Sequence, residues 1–186
     1  RLERRIAATH SASLAEYRRY VLRHPEEIHR LRGSLLIKVT DFFRDADLFE
    51  AIRSEYLPRL LDRARDRREL RLWSAGCATG EEAYSLAMLV SDALGADVAR
   101  WSVRIFATDA DPEAIAFARR GIYPSSSLKG LDEAMLARHF RHLDGAYEVA
   151  PHIRAMTVFG EHDLAQRAPF PRIDLVLCRN VLIYFT

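Results

Sequence analysis

Cysteine is scarce in this sequence: Cys77 and Cys178 are the only two, far apart and without C-x-x-C spacing. That excludes a disulfide-stapled scaffold and fits a reducing compartment, the cytoplasm. Each cysteine reads as a small buried residue near a strand end. No apolar run approaches the roughly 20 residues a bilayer span requires, so membrane insertion is not expected. The opening residues, Arg1 to Arg5, carry charge and no apolar signal core. Seven histidines are scattered without an H-E-x-x-H pattern or carboxylate-paired spacing, so no metal site is assigned. Internal repeats and long low-complexity tracts are also missing.

What is present is an ordinary globular composition, 49% hydrophobic and 29% charged over 186 residues. The formal charge of +2 hides an asymmetry. Residues 1–71 carry 17 Lys/Arg against 12 Asp/Glu, a net of +5, and the remainder carries 11 against 14, a net of −3. A basic first part suits an acidic partner. Leu14, Tyr17, Val21, Ile28, Leu31 and Leu35 recur at helical spacing, Ser11 or Ser13 can cap, Pro25 opens the next helix, and Gly33 is expected to end it. Residues 1–36 therefore read as a small all-α domain, and 37–44 as a connector.

Residues 45–186 read differently. Asp47 to Arg67 is helical, with a break expected at Pro58. Leu70 to Ala75 is a strand, Gly76 to Gly80 a turn, and Glu81 to Leu94 a helix closed by Gly95. Trp101 to Thr108 is a second strand and Pro112 to Arg120 a helix stopped by Gly121. This order predicts an α/β, doubly wound Rossmann-like sheet. A loop over 122–130, a short helix over 131–140, and a small antiparallel β-subdomain near 141–158 follow. Ile173 to Cys178 is expected to be a strand covered on both faces. The sequence stops just after it, so the sheet is expected to be incomplete and the chain a fragment.

The chemistry begins at the Gly76–Gly80 turn. It lacks the third glycine of a dinucleotide fingerprint, and it places Glu81 and Glu82 where a pyrophosphate would sit. Carboxylates there repel phosphate and suit an ammonium or sulfonium, which favours S-adenosylmethionine over NAD. Asp109, at the end of the second strand, is placed to accept both hydroxyls of an adenosine ribose, whereas Asp111 reads as a helix cap. Arg179 and Asn180 fall at another strand end, where open α/β sheets bind ligands.

Four segments, Val39-Thr40-Asp41-Phe42-Phe43-Arg44, Trp73 through Ser85, Ala107-Thr108-Asp109 and Cys178 through Phe185, together resemble the chemotaxis receptor methyltransferases of the CheR family. The resemblance implies methyl transfer from S-adenosylmethionine to receptor glutamates, giving glutamyl methyl esters and S-adenosylhomocysteine. It assigns Thr40, Arg44, Gly76, Glu81, Asp109, Asp163, Leu164, Arg179 and Asn180 to the cofactor and places Arg44 and Tyr184 beside the reacting groups. Two positions depart from the family pattern: Lys38 and Asp163 stand where asparagine is usual. Residues Arg141 to Glu148 are short and hold one glycine, which resembles members that do not dock on a receptor-tail pentapeptide. The resemblance also implies that basic helices, through Arg18, Arg19, Arg23, Arg30 and Arg32, face the acidic cytoplasmic helices of a receptor. Nucleic acid is not expected as a partner, since neither an Asn-Pro-Pro-Tyr tetrad nor an aromatic stacking platform is present. The alternatives are a non-catalytic module that binds the cofactor or a receptor, and a methyltransferase of another substrate class.

Overall fold

A computed structural model describes residues 2–35 and 40–184, with the side chains of residues 29, 32–35 and 184 outside the described set. The chain divides into two compact units, Arg1–Val39 and Thr40–Thr186.

The first unit holds α1 (Leu2–Ala8), α2 (Leu14–Arg23) and α3 (Glu26–Leu35). Ser13 caps α2, its hydroxyl accepting from the Glu16 amide. Gly33 lies within α3 instead of ending it, since a helix tolerates a glycine at a cost of about 1 kcal/mol. The apolar stripe is only partly buried. Tyr17 is covered, while Leu14 and Ile28 are exposed. The centre of the unit is polar: Glu27, 1% exposed, accepts from Arg5 Nε at 2.8 Å and Nη2 at 2.6 Å and from the Tyr17 hydroxyl at 2.8 Å. The Arg5 guanidinium holds the Glu27 carboxyl below its ordinary range.

In the second unit, α4 (Ala46–Ala51), a π-helical turn (Ile52–Tyr56) and α5 (Leu57–Arg63) replace the single broken helix expected there. Pro58 falls in the first turn of α5, where its missing N–H costs little. Next come β1 (Glu69–Ala75), α6 (Glu81–Leu94), β2 (Ser102–Asp109) and α7 (Pro112–Arg120). Asp111 caps α7 by accepting from the amides of Glu113 and Ala114. The chain continues through β3 (Ile122–Pro124), α8 (Glu133–His139), β4 (Phe140–Leu143), β5 (Ala146–Val149), α9 (Pro151–Arg154), β6 (Thr157–Glu161) and β7 (Leu175–Leu177).

Among the described residues the main sheet has the order β6-β2-β1-β7, with every pairing parallel. The direction of strand addition reverses at β1, which makes the space between β1 and β7 the switch point of a doubly wound sheet. Two expectations are corrected. Residues 122–130 include a strand, because β3 pairs antiparallel with β5, which also pairs with β4. And β6, expected among small antiparallel strands, joins β2 in parallel: after Val149 the short helix α9 carries the chain back to the main sheet.

Helices α6 and α7 pack on one face of the sheet over Leu70, Leu72, Val103, Ile105 and Ala107, all buried. On the opposite face, register aligns Val158, Phe106, Trp73 and Val176 across the four strands. Phe170 covers the middle of this row, stacked on Phe106 at 4.7 Å and edge-on to Trp73 at 5.2 Å. Val158 and Val176, at the two edges, are about half exposed, so β7 is not covered on both faces as its apolar run suggested. Among the described residues, no helix is long and apolar enough to cross a membrane, and no cluster of His, Cys, Asp and Glu could hold a metal ion.

Candidate functional site

The parallel sheet brings the ends of β7, β1, β2 and β6 to one edge, and most of the sequence-predicted residues follow those ends. The turn after β1 is wrapped around the end of β2. Gly76 and Cys77 both donate their amides to the Thr108 carbonyl, at 2.7 and 2.9 Å. The Ala78 amide donates to Asp109 Oδ2 at 2.8 Å, and the Asp111 amide to Asp109 Oδ1 at 2.9 Å. Asp109 is thus fixed beside the turn by both of its carboxylate oxygens.

The glycines allow close chain packing. Gly76 has φ +81, and a β-carbon there would lie 2.2 Å from Val181 Cγ2. A contact that demands glycine is therefore the one with the chain leaving β7. At Gly80, φ +97, a β-carbon would meet Ala118 Cβ at 2.8 Å, which lets α6 start tightly against α7.

The two glutamates that begin α6 have different surroundings. Glu81 is 5% exposed and accepts from Thr79 Oγ1 at 2.7 Å. Burial pushes its carboxyl up to about 7, and the charge of Asp41 adds to the rise. Glu82 accepts from Ser74 Oγ at 2.6 Å and from Arg179 Nη1 at 3.3 Å. Burial raises it too, opposed by Ser74, Arg179 and the charge of Arg44. The sequence assigns Glu81 to the cofactor; in the structure Arg179 and the charge of Arg44 act on Glu82. Glu81 shares a helix face with Ser85 and Met88, both buried, a spacing that marks the inward stripe.

Arg179, at the exit of β7, also pairs with Asp45 and lies with its guanidinium 5.9 Å from the Phe49 ring centre. Asp45 and Ser74 are further site residues that sequence reasoning missed. The connector is pinned on both sides. Phe42 is buried edge-on against Tyr123 and Phe140, and the Phe43 amide donates to Ser85 Oγ at 3.0 Å. This places half-buried Arg44 near Glu82; Thr40, also half-buried, begins the same segment.

At the end of β6, the His162 amide donates to the Asp109 carbonyl at 2.9 Å, which sets Asp163 and Leu164 next to Asp109 in the backbone. The Asp163 carboxylate accepts from the Ala165 amide and from Gln166 Nε2. Asn180 is exposed, with left-handed φ of 55. The Tyr184 side chain and Lys38 lie outside the described residues. Cys77 is buried in the turn, where burial and the Asp109 charge push its thiol well up, so it is an unreactive packing group.

Carboxylates, arginine and a partly buried turn at one sheet edge suit a ligand that carries both an ammonium and a ribose. Comparison with known proteins agrees. Residues 38–186 match the family described as CheR methyltransferase, SAM binding domain. An uncharacterized 104.1 kDa protein in the hypE 3′ region of Rhodobacter capsulatus is 41% identical over 186 residues, covering 100% of this chain and 19% of that protein. A probable chemotaxis protein methyltransferase of Rhizobium etli is 36% identical over 156 residues, 81% of this chain and 58% of that protein. The chemotaxis protein methyltransferase of Escherichia coli is 38% identical over 170 residues, 87% of this chain and 56% of that protein. The chain thus spans little more than half the length of these two methyltransferases. By its matched span and by the fold that carries it, the chain belongs to the CheR methyltransferase family, as an S-adenosylmethionine-binding domain.

Proposed function

We propose that this domain holds S-adenosylmethionine at the switch point and that the full-length protein methylates glutamate side chains of chemotaxis receptors. The observation that carries the reading is the pair of acidic anchors around one turn. Glu82 stands with Ser74 and Arg179 on the side facing β7, and Asp109 is bound to Ala78 on the side facing β2.

In this reading Glu82 takes the ammonium of the donor and Asp109 its ribose hydroxyls, while Asp163-Leu164 borders the adenine side and Arg179-Asn180 closes the pocket. Glu81 shapes the turn from inside. Bound S-adenosylmethionine supplies an activated methyl on a sulfonium. The substrate glutamate is already ionised near neutral pH, so the site needs no general base. The chain's task is alignment and exclusion of water. Arg44 draws in the carboxylate by a charge-assisted contact, and Tyr184 orients it. The exposed arginines Arg18, Arg19, Arg23 and Arg30 face the acidic receptor helices. The tight Asp144-Gly145 hairpin between β4 and β5 leaves little surface for a peptide, so no tail pentapeptide is expected to dock.

The test is calorimetric titration with S-adenosylhomocysteine, followed by transfer of labelled methyl to receptor fragments with base-labile product. Cofactor binding without transfer would favour a regulatory module. Base-stable product would indicate another substrate class.

A further inference from the structure

Asp45 occupies the N-cap of α4 yet makes no side-chain cap, and it sits at φ 63, ψ 71 in the left-handed region. Elsewhere the same residue type behaves conventionally: Asp111 and Asp132 each accept an amide from the first turn of the helix they precede. Ser13 does the same for α2. A free cap and a left-handed non-glycine residue are both unfavourable. Such departures persist where another interaction holds the residue.

Here that interaction is with Arg179. Asp45 takes Arg179 Nη2, while Arg179 Nη1 donates to Glu82 Oε2 at 3.3 Å and Ser74 holds Glu82 Oε1 at 2.6 Å. Arg179 is largely covered and Asp45 is largely exposed. The Phe43 backbone is left-handed as well, at φ 52, so both ends of the turn that presents Arg44 adopt conformations that need outside support. Phe49, three residues into α4, flanks the same guanidinium.

We propose that Asp45 is a positioning residue for the cofactor site. By taking one amino group of Arg179 it aims the other at Glu82, and it ties the turn carrying Arg44 to the chain leaving β7. This rests on the functional reading above, in which Glu82 meets the cation of the donor. Asp45 also shares the arginine's charge, so Glu82 keeps net negative character for that cation.

The experiment uses Asp45→Gly and Asp45→Asn in the full-length protein. Glycine adopts the left-handed conformation freely and caps nearly as well as aspartate, so the fold is retained without the carboxylate. Asparagine keeps the shape and loses the charge. S-adenosylhomocysteine affinity, measured by calorimetry at low salt, should weaken about two- to fivefold for Asp45→Gly and less for Asp45→Asn, the scale of a solvent-exposed ion pair. The deficit should shrink as ionic strength rises towards about 1 M. In an Arg179→Ala background, Asp45→Gly should cause no further loss. Unchanged affinity for Asp45→Gly at low salt, or an equal loss with and without Arg179, overturns the assignment. Failure of the unaltered protein to bind S-adenosylhomocysteine overturns the functional reading and this assignment with it.

Discussion

Replacing Glu81 with glutamine should stabilise the fold, and the gain should depend on pH. Glu81 begins α6, where the helix dipole favours a negative charge by up to about 1 kcal/mol, yet burial dominates and raises its carboxyl from 4.5 to about 7. A carboxyl raised on folding contributes most stability below its unfolded value, where it is protonated in both states. That contribution falls as pH rises from about 4.5 to about 7 and stays low above that. That rise corresponds to about 3 kcal/mol, at about 1.36 kcal/mol per pH unit. Glu81→Gln removes the ionisation and keeps an oxygen for the Thr79 hydroxyl. Urea unfolding of both proteins at about pH 4, 5, 6, 7 and 8 should therefore give nearly equal stability at the acid end. The variant should lead by up to about 3 kcal/mol at the alkaline end. A difference that stays constant across this range would refute the reasoning, because it would show that Glu81 titrates normally in the fold.

Gly76→Ala should lower the melting temperature through a stability loss of about 2–4 kcal/mol. The new β-carbon would combine left-handed strain with the 2.2 Å approach to Val181. Arg5→Ala should leave Glu27 buried without its ion-pair partner and held only by the Tyr17 hydroxyl, destabilising the helical unit by on the order of 3 kcal/mol. Loss of helical circular dichroism at lower temperature would show it, and an unchanged melt would refute it. Burial holds His139 below its ordinary value despite Asp92 at 3.0 Å. Its contribution is present above about pH 6.5 and lost as pH falls through the lowered folded value, so His139→Gln should flatten the acid limb of the stability profile.

Much of this was legible because it is local. The β1-turn-α6-β2 unit, the caps at Ser13 and Asp111 and the placement of Asp109 follow from spacing within a few dozen residues. The direction in which a strand pairs is not local. The Thr157–Glu161 run looks the same whether it joins a hairpin or the main sheet, and only the detour through α9 decides. Which of Glu81 and Glu82 is the more deeply buried depends on how α6 packs. The partnership of Asp45 with Arg179 spans 134 residues and rests on contact across strand ends, which sequence spacing does not encode.

Asp109 has a second consequence, for how its variants are to be interpreted. Its carboxylate holds the Ala78 amide and so stiffens the turn before any ligand arrives. Part of the entropy of ordering the pocket is therefore settled during folding, and binding at this edge inherits a rigid wall. The same economy makes Asp109→Ala ambiguous, because it would loosen the wall and remove the proposed grip on ribose together. Separating the two requires comparing affinities for adenosine ligands with and without ribose hydroxyls, since only the grip distinguishes them.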